Sequence, residues 1–459
     1  MSVPTLPRRT APGALRSLSS PCRRSLQRLV GLSATLLAAL AGLTPAGTAL
    51  ASPRHPPHRA AAHPALSAEA RLLDIYRLIG TGNLKAALAR ADALVADVPN
   101  FRLAYLVRGD VLMALSHPLT EFGDVRASGL AVPAPTPAPQ ASAAGPAREG
   151  INPNLVLQPP TVGELRDEAL QRVRALRERP APDAVPQAFV DLAPITRNAL
   201  LVDLSRSRLY QYQQQRDGQL RLVADYYVTQ GRLGADKQRE GDLKTPLGIY
   251  YVTSNIDRRR LDSFYGAGAL TINFPNEYDK RHNRSGSGIW LHGVPAGAAG
   301  TYARVPRASD GCVVLSNPDL QKLMSSIRPG ETPIVIMRKA VWLDRAAWQR
   351  QRAAFRGLFD RWVDAREHPQ AGALRGFYGP TFNSYGEPFG PWFAKAYAQP
   401  VTTPPQHATL LYDPDDKLLV ATFYDVQQAG RRTVLTRRRQ YWSDTGGQWK
   451  IFFEGALGI

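Results

Sequence analysis

A cysteine and a histidine in this sequence have the types and neighbours that thiol-dependent catalysis requires. Cys312 closes the run Ser309-Asp310-Gly311-Cys312, and His292 stands twenty positions upstream, at the end of an apolar run and before Gly293. A thiol has an ordinary pKa of about 8.5, so only a few per cent is thiolate at neutral pH. An adjacent imidazole increases that fraction by taking the proton. The two residues therefore predict a cysteine nucleophile with His292 as its proton partner.

The residues around the pair predict how the site is shaped. Gly311 allows a tight backbone turn, so we expect the N–H groups near Gly311 and Cys312 to face a developing oxyanion. Ser309 is small and polar, and we expect it to orient the imidazole. A buried core cysteine is the alternative reading, but the Ser-Asp-Gly context and the nearby His-Gly pair favour catalysis.

Other chemistry has little support in the sequence. The eight histidines are scattered and no Cys-x-x-Cys pair occurs, so no metal site is predicted. No phosphate-binding Gly-Lys-Ser/Thr loop occurs either, and no cofactor is expected. No motif singles out a pair of carboxylates for glycoside cleavage.

From about Asn198 to Arg338 the sequence resembles the L,D-transpeptidase (YkuD-type) catalytic domain of bacterial cell-wall enzymes. The resemblance rests on His292-Gly293, on the Ser-x-Gly-Cys turn and on Thr245-Pro246-Leu247-Gly248. It implies that Cys312 is the nucleophile, that His292 is its partner, and that Gly293, Ser309 and Gly311 shape the site. Asp310 stands where the family usually has His, and Val314 where it usually has Arg.

The form Ser-x-Gly-Cys-Val-Val-Leu-Ser-Asn, together with Asn273-Phe274-Pro275-Asn276, resembles the branch that contains YafK-type proteins and Csd-type L,D-carboxypeptidases. The resemblance implies peptidoglycan stem peptides as substrates. An acceptor amine resolves the thioester in a transpeptidase, and water does so in an L,D-carboxypeptidase or another hydrolase. A non-catalytic envelope scaffold, built around an enzyme domain that has lost its activity, is a third hypothesis.

Residues 257–288 form a long polar segment, and long loops in compact domains are often lids or binding loops. Among its side chains we expect substrate contacts from Tyr278, Lys280, Arg281 and Arg284, because a cation there could bind a stem-peptide carboxylate. A solvated loop without a binding role is the alternative.

The first 51 residues read as a secretory signal peptide. Six arginines precede the apolar run Leu32–Leu43, and Ala49-Leu50-Ala51 follows as a small-residue cleavage site. The expected location is the periplasm or cell envelope; an uncleaved anchor and a twin-arginine signal at Arg23-Arg24 are alternatives. Removal of Cys22 with the signal would leave Cys312 as the one thiol of the mature chain.

The charge balance supports an envelope location. The net charge is +19 for the full chain and +13 without the six arginines of the predicted signal peptide. A basic exported protein could stay near anionic wall polymers, and a generally solvated basic surface is the alternative. Nucleic acid is not expected as a partner, because the chain has no basic helix or aromatic-basic repeat.

The remaining patterns predict a multidomain α+β protein. Residues 66–116 show helical spacing and resemble one tetratricopeptide-like unit, 117–160 read as a Pro/Ala-rich linker, and 161–180 as a further helix. One such unit cannot bury its own face, so it should dock on this chain or on a second copy, and a homodimer through these helices is a hypothesis.

Residues 198–338 alternate with period two, which predicts half-buried strands of a β-rich sandwich or barrel, with a helix after Ser316. Residues 342–459 begin with an aromatic-rich helix and continue with strands, which predicts an α+β cone that looks like an NTF2-like domain. With no charged or histidine cluster apparent in this part, a scaffold or glycan-binding role is expected for it.

Overall fold

The computed structural model describes residues 67–117, 161–295, 305–368, 372–398, 401, 403–429 and 432–457. The predicted signal peptide and, apart from residue 117, the predicted linker lie outside these ranges. No helix within them is both long enough and apolar enough to cross a membrane.

The elements alternate between helical and β-rich regions along the chain. The α-helices of the described residues are α1 Ala68–Gly80, α2 Leu84–Asp97, α3 Arg102–Ala114, α4 Val162–Arg177, α5 Glu277–Arg281, α6 Asn317–Met324, α7 Arg345–Glu367 and α8 Phe389–Ala396. The strands are β1 Val185–Pro186, β2 Phe189–Asp191, β3 Asn198–Asp203, β4 Arg208–Gln214, β5 Leu220–Tyr227, β6 Gln230–Gly231, β7 Gly248–Asp257, β8 Gly268–Ile272, β9 Trp290–His292, β10 Arg307–Ser309, β11 Val313–Val314, β12 Pro333–Met337, β13 Trp342–Leu343, β14 Asn383–Ser384, β15 Glu387–Pro388, β16 Gln406–Asp413, β17 Leu418–Ala429, β18 Arg432–Thr445 and β19 Gln448–Ala456.

The N-terminal region is helical, as the spacing predicted. Ser67 and Asn83 cap α1 and α2 through their side chains, and Thr161 forms a capping box with Glu164 at the start of α4. These caps satisfy backbone N–H groups that have no partner within a helix. The local sequence therefore accounts for where the helices begin.

The helical region docks on the β-rich part of the same chain through buried charges. Arg172 of α4 pairs with Glu168 at 2.7 Å and with Glu69 of α1 at 2.9 Å, and Glu69 also pairs with Arg208 of β4 at 2.9 Å. The Arg172 guanidinium lies 3.9 Å from the centre of the Tyr227 ring. The spacing of Leu165, Ala169, Val173 and Leu176 predicts one apolar face for α4, but Leu176 is 39% exposed, while Glu168 and Arg172 are buried.

The central sheet has eight strands in the order β11-β9-β8-β7-β12-β3-β4-β5. The β11/β9 and β12/β3 pairs are parallel, and the other neighbours are antiparallel. The prediction of half-buried strands is wrong for β3, where all six residues are buried. The reason is that both faces of β3 are covered: Leu200 packs in a core with α6, and Leu201 in a core with the C-terminal module.

The C-terminal module combines α7 and α8 with a five-stranded antiparallel sheet in the order β19-β18-β17-β16-β2. Its strand β2 precedes the central sheet in sequence. Gly446 and Gly447, both at positive φ, turn the last hairpin as expected. Trp342 lies in β13, so the expected start of the helix there was wrong; α7 begins at Arg345 after the N-cap Asp344. The likeness to an NTF2-like domain stays a prediction.

This module contains a buried charge network that the sequence did not reveal. Arg366 bonds to Asp425, and Arg438 pairs with Asp425 at 3.3 Å and with Glu454 at 3.0 Å. The Tyr378 hydroxyl also donates to Glu454 at 2.9 Å. The expectation that the module lacks a charged cluster was therefore wrong, because residues distant in sequence converge inside its sheet.

Candidate active site

Two short parallel strands at one end of the central sheet position Cys312 and His292. Val313 of β11 lies opposite Leu291 of β9, and Val314 lies opposite His292. Successive side chains of a strand point to opposite faces, so Cys312, which directly precedes β11, shares the face of Val314 and His292. The register therefore brings the two predicted catalytic side chains to the same face of adjacent strands.

The His292 ring is completely buried and is fixed on one side only. Nδ1 lies 2.7 Å from the carbonyl oxygen of Gly293. A carbonyl only accepts, so Nδ1 carries the proton and Nε2 has an unshared pair. Nε2 is buried and has no hydrogen-bond partner among the described residues. Burial lowers the pKa of His292 to about 4, with the Gly293 hydrogen bond opposing that shift. His292 is thus a neutral base at physiological pH.

Aromatic and aliphatic side chains enclose the site. The His292 ring packs against Phe264 and Tyr265, with ring centroids 5.9 and 5.2 Å away. Cys312 is 4% exposed and belongs to a small cluster that includes Phe264 and Trp290. Its Sγ donates to the Gly288 carbonyl at 3.3 Å. These neighbours exclude water from the thiol and the imidazole.

The nucleophile turn is held by side-chain hydrogen bonds. The Ser309 hydroxyl donates to the Cys312 carbonyl at 2.6 Å and accepts from the Gly311 N–H at 3.2 Å. Ser309 therefore fixes the turn and not the imidazole, and the Gly311 N–H is occupied within the turn instead of facing a substrate oxygen. Thr245 donates to the Gly311 carbonyl at 2.9 Å. Gly311 has a φ of 135°, and a Cβ there would lie 2.7 Å from the Lys244 carbonyl oxygen.

Asn317 is a positioning residue whose role the sequence did not reveal. Its Oδ1 accepts from the N–H groups of Ala267 and Val294 at 2.9 and 3.1 Å, and its Nδ2 donates to the Val294 carbonyl at 2.8 Å. A Cβ on Gly293 would lie 2.1 Å from this Oδ1, which explains the glycine after His292. The sequence Asn317-Pro318-Asp319 predicts Asn317 as the N-cap of α6, but Ser316 takes that position.

Asp310 forms an ion pair beside the nucleophile. Its carboxylate contacts Arg232, whose backbone N–H donates to the Ser309 carbonyl at 2.8 Å. Burial raises the pKa of Asp310, and Arg232 opposes that shift. Val314, which stands where the resembled family usually has Arg, is buried in the cluster around Cys312 and contributes an apolar side chain to it.

The predicted substrate-binding residues make contacts elsewhere. The Tyr278 hydroxyl bonds to Asp416 at 3.0 Å, and Arg281 donates to the Thr381 carbonyl at 2.6 Å, so α5 is tied to the C-terminal module. Arg284 pairs with Asp279 at 3.2 Å, and Lys280 is exposed. No described contact links these four residues to Cys312 or His292, and their binding of substrate stays a prediction.

Residues 197–336 match the family model of the YkuD L,D-transpeptidase catalytic domain. YafK of Escherichia coli (strain K12), whose name assigns it to the L,D-transpeptidases, is 28% identical over 192 residues, which are 40% of this chain and 73% of YafK. The YafK protein of Escherichia coli O157:H7 matches to the same extent.

Two solved structures match this chain over most of their own length. Bd1075 of Bdellovibrio bacteriovorus matches with a TM-score of 0.51 and 24% identity over 60% of this chain and 99% of Bd1075. The helical cell shape determining protein Pgp2 of Campylobacter jejuni matches with a TM-score of 0.47 and 20% identity over 60% of this chain and 94% of Pgp2. The Bd1075 match supports the fold of the region that it covers.

Proposed function

We propose that this protein is an exported, cysteine-dependent L,D-transpeptidase that acts on stem peptides, since residues 197–336 match the family model of the L,D-transpeptidase catalytic domain, which implies a peptidoglycan-modifying enzyme. The observation that carries the proposal is the arrangement of His292 and Cys312. A buried imidazole with an unpartnered Nε2 lies on the same strand face as the thiol.

The reaction divides into two steps. His292 Nε2 takes the Cys312 proton, Sγ attacks an amide carbonyl carbon of the stem peptide, and a tetrahedral oxyanion forms. The C–N bond then breaks, the leaving amine takes the proton back from Nε2, and a thioester remains on Cys312. In the second step an acceptor amine attacks the thioester carbon and loses a proton to Nε2. The C–S bond breaks as the new amide forms, and Sγ takes that proton back from Nε2.

The low pKa of His292 makes the neutral ring a weak base toward the thiol but its protonated form a strong acid toward the leaving amine. Burial keeps the imidazole uncharged before substrate binds. The imidazolium that forms during attack is a strong acid in this environment, so it returns its proton readily to the leaving amine. The Nδ1 bond to Gly293 holds the ring while Nε2 moves the proton.

Hydrolysis is the second candidate, with water resolving the thioester in an L,D-carboxypeptidase or a hydrolase that releases a wall-linked protein. Asp310 and Val314 favour it, because they stand where L,D-transpeptidases usually have His and Arg. In either case we propose a periplasmic location, in keeping with the predicted signal peptide.

The test uses intact-mass spectrometry of disaccharide-tetrapeptide incubated with purified protein, with and without excess D-amino acid. Release of the terminal residue alone would identify a carboxypeptidase, and exchange or cross-linked dimers would identify a transpeptidase. The matched control is Cys312→Ala, which fits the same space without a nucleophile and should give neither product. Products that persist in Cys312→Ala would overturn the mechanism.

A scaffold gives a different result in the same test and in cells. Neither the wild-type protein nor Cys312→Ala would alter the tetrapeptide, and Cys312→Ala would restore a deletion strain as well as wild type does.

A further inference from the structure

Arg232 has an unusual position next to the nucleophile turn. β6 runs parallel to β10 with Gly231 opposite Ser309, so Arg232 leaves β6 beside the residues that lead to Cys312. Its backbone N–H is fixed on the Ser309 carbonyl, and its guanidinium contacts Asp310 through Nη2. The main chain of Arg232 is therefore anchored to the turn while its side chain extends along it.

The guanidinium keeps donor groups that its ion pair does not use. A guanidinium has five N–H donors in a planar fork. Asp310 is the acid that Arg232 contacts among the described residues, and the buried Nε has no partner there. The Arg232 side chain is also 26% exposed, so a second anion can reach it.

Lys237, the other cation near Asp310, already has its partners within the chain. Its ammonium pairs with Asp242 at 3.1 Å and donates to the Arg239 carbonyl, and its side chain is 1% exposed. Lys237 therefore cannot meet a substrate, although its charge faces Asp310. Arg232 is the better placed of the two cations near Asp310.

We infer that Arg232 binds the α-carboxylate of the residue on the leaving side of the scissile amide, and that Asp310 holds the guanidinium in position. The inference rests on the proposed function and names a specificity-determining residue for it. In a terminal residue the carboxylate carbon is three bonds from the attacked carbonyl carbon. A group that binds it must therefore lie beside Cys312, and a guanidinium matches a carboxylate with two parallel hydrogen bonds.

The same contact has a consequence for the second step. An amino acid that resolves the thioester enters where the leaving residue departed, so its carboxylate would meet Arg232 as well. Water needs no such contact. Arg232 thus favours exchange with amino acids over hydrolysis.

The experiment compares two stem tetrapeptides that differ only at the end, one with a terminal carboxylate and the other with a terminal amide. We expect wild type to prefer the carboxylate roughly 10- to 100-fold in kcat/KM, since a hydrogen bond to a charged group contributes about 1.5–3 kcal/mol. Arg232→Ala should bring the ratio near one by losing activity on the carboxylate peptide. Arg232→Lys should restore part of it, and Asp310→Asn should weaken the preference through KM.

Arg239→Ala is the matched control, because Arg239 is an exposed arginine of the same loop. It should keep the wild-type ratio. Equal losses on both peptides in Arg232→Ala would mean that the residue only supports the turn, and an unchanged ratio would also overturn the inference.

A binding measurement separates this inference from the proposed function. Calorimetry with Cys312→Ala and with Cys312→Ala/Arg232→Ala requires no turnover. The inference is supported if the two peptides bind the single variant with different affinities and the double variant with equal affinities. Arg232 would then bind the carboxylate even where wild type shows no reaction. Equal affinities in the single variant would overturn the inference, whatever the reaction turns out to be.

Discussion

Two parts of this molecule bury polar side chains, and they treat them in opposite ways. In the C-terminal module, Arg366, Arg438, Asp425 and Glu454 each face an opposite charge. At the nucleophile turn, the buried His292 Nε2 has no partner among the described residues. A buried polar atom without a partner costs about 1–3 kcal/mol. No counter-charge among the described residues offsets that cost at the neutral His292 ring, so its retention there calls for a use.

Buried polar groups therefore have two different roles in this protein. In the charge network every charge has an opposite charge within the chain, although Arg366 Nη1 and Arg438 Nε have no hydrogen-bond partner among the described residues. Its buried pairs fix how helices and sheet meet. At Cys312, by contrast, the Nε2 atom of His292 gains a hydrogen-bond partner only when it takes up the thiol proton or contacts the substrate. Three predictions follow from this comparison, and the first has the largest expected effect.

Replacing His292 by Asn keeps a donor for the Gly293 carbonyl but removes the base. Because proton transfer by a positioned base contributes roughly 10²- to 10⁴-fold, we expect release of the terminal residue to slow by about that factor. The measurement is the rate of product formation by mass spectrometry at pH 7.5, with folding checked by circular dichroism. Retention of more than about a tenth of the rate would show that the orphan nitrogen is not the base.

Replacing Asp425 by Ala should act on stability and spare the chemistry. It leaves Arg366 and Arg438 short of a buried counter-charge, and breaking a buried pair costs about 3–5 kcal/mol. Urea unfolding measures the loss. The control is Asp360→Ala, which breaks an exposed pair with Arg356 in the same module and should cost less than about 1 kcal/mol. Similar costs for the two variants would remove the contrast between the regions.

Acid should shift the stability contributions of the two regions in opposite directions. The pKa of His292 is lowered to about 4, so the unfolded chain takes up its proton first and this contribution to stability falls from pH 6.5 to 4. Burial and Asp416 raise the pKa of Asp413 to about 6, so the folded state is protonated first and stability rises from pH 6 to 4. Each effect is on the order of 1–3 kcal/mol.

Urea unfolding at pH 7.5 and 4.5 checks both signs. His292→Asn should remove the loss on acidification, and Asp413→Asn should raise stability at pH 7.5 more than at pH 4.5. A variant whose acid response equals that of wild type would refute the sign assigned to its residue.

The local patterns predicted much of this structure. Apolar spacing predicted the helices of residues 68–114, and period-two alternation predicted strands of the central sheet. The Ser-x-Gly-Cys and His-Gly motifs identified two side chains that the register of β9 and β11 then brought to one face. In these cases the determining interactions lie within a few residues.

Contacts between distant residues were not predictable in the same way. Glu168 and Arg172 look like a solvated helix face until Glu69 and Arg208 approach them. Asn317 resembles a helix cap until its amide is seen to bridge Val294 and Ala267. The spare donors of Arg232 depend on Asp310, 78 positions away. A polar residue alone does not show which partner it will meet.

Strand β2 can form its sheet hydrogen bonds only after a much later part of the chain has been synthesised. It adds to the C-terminal sheet beside β16, and Ala193 just after it bonds to Thr409, which is 216 residues further along. The ribosome therefore finishes the whole central sheet before it makes the strand that pairs with β2. Until then Phe189 and its neighbours have an open hydrogen-bonding edge, which is the kind of surface that recruits chaperones. A truncation before Trp342 would leave that edge without its partner strand, so we expect the catalytic region expressed alone to be more prone to aggregation than the full chain.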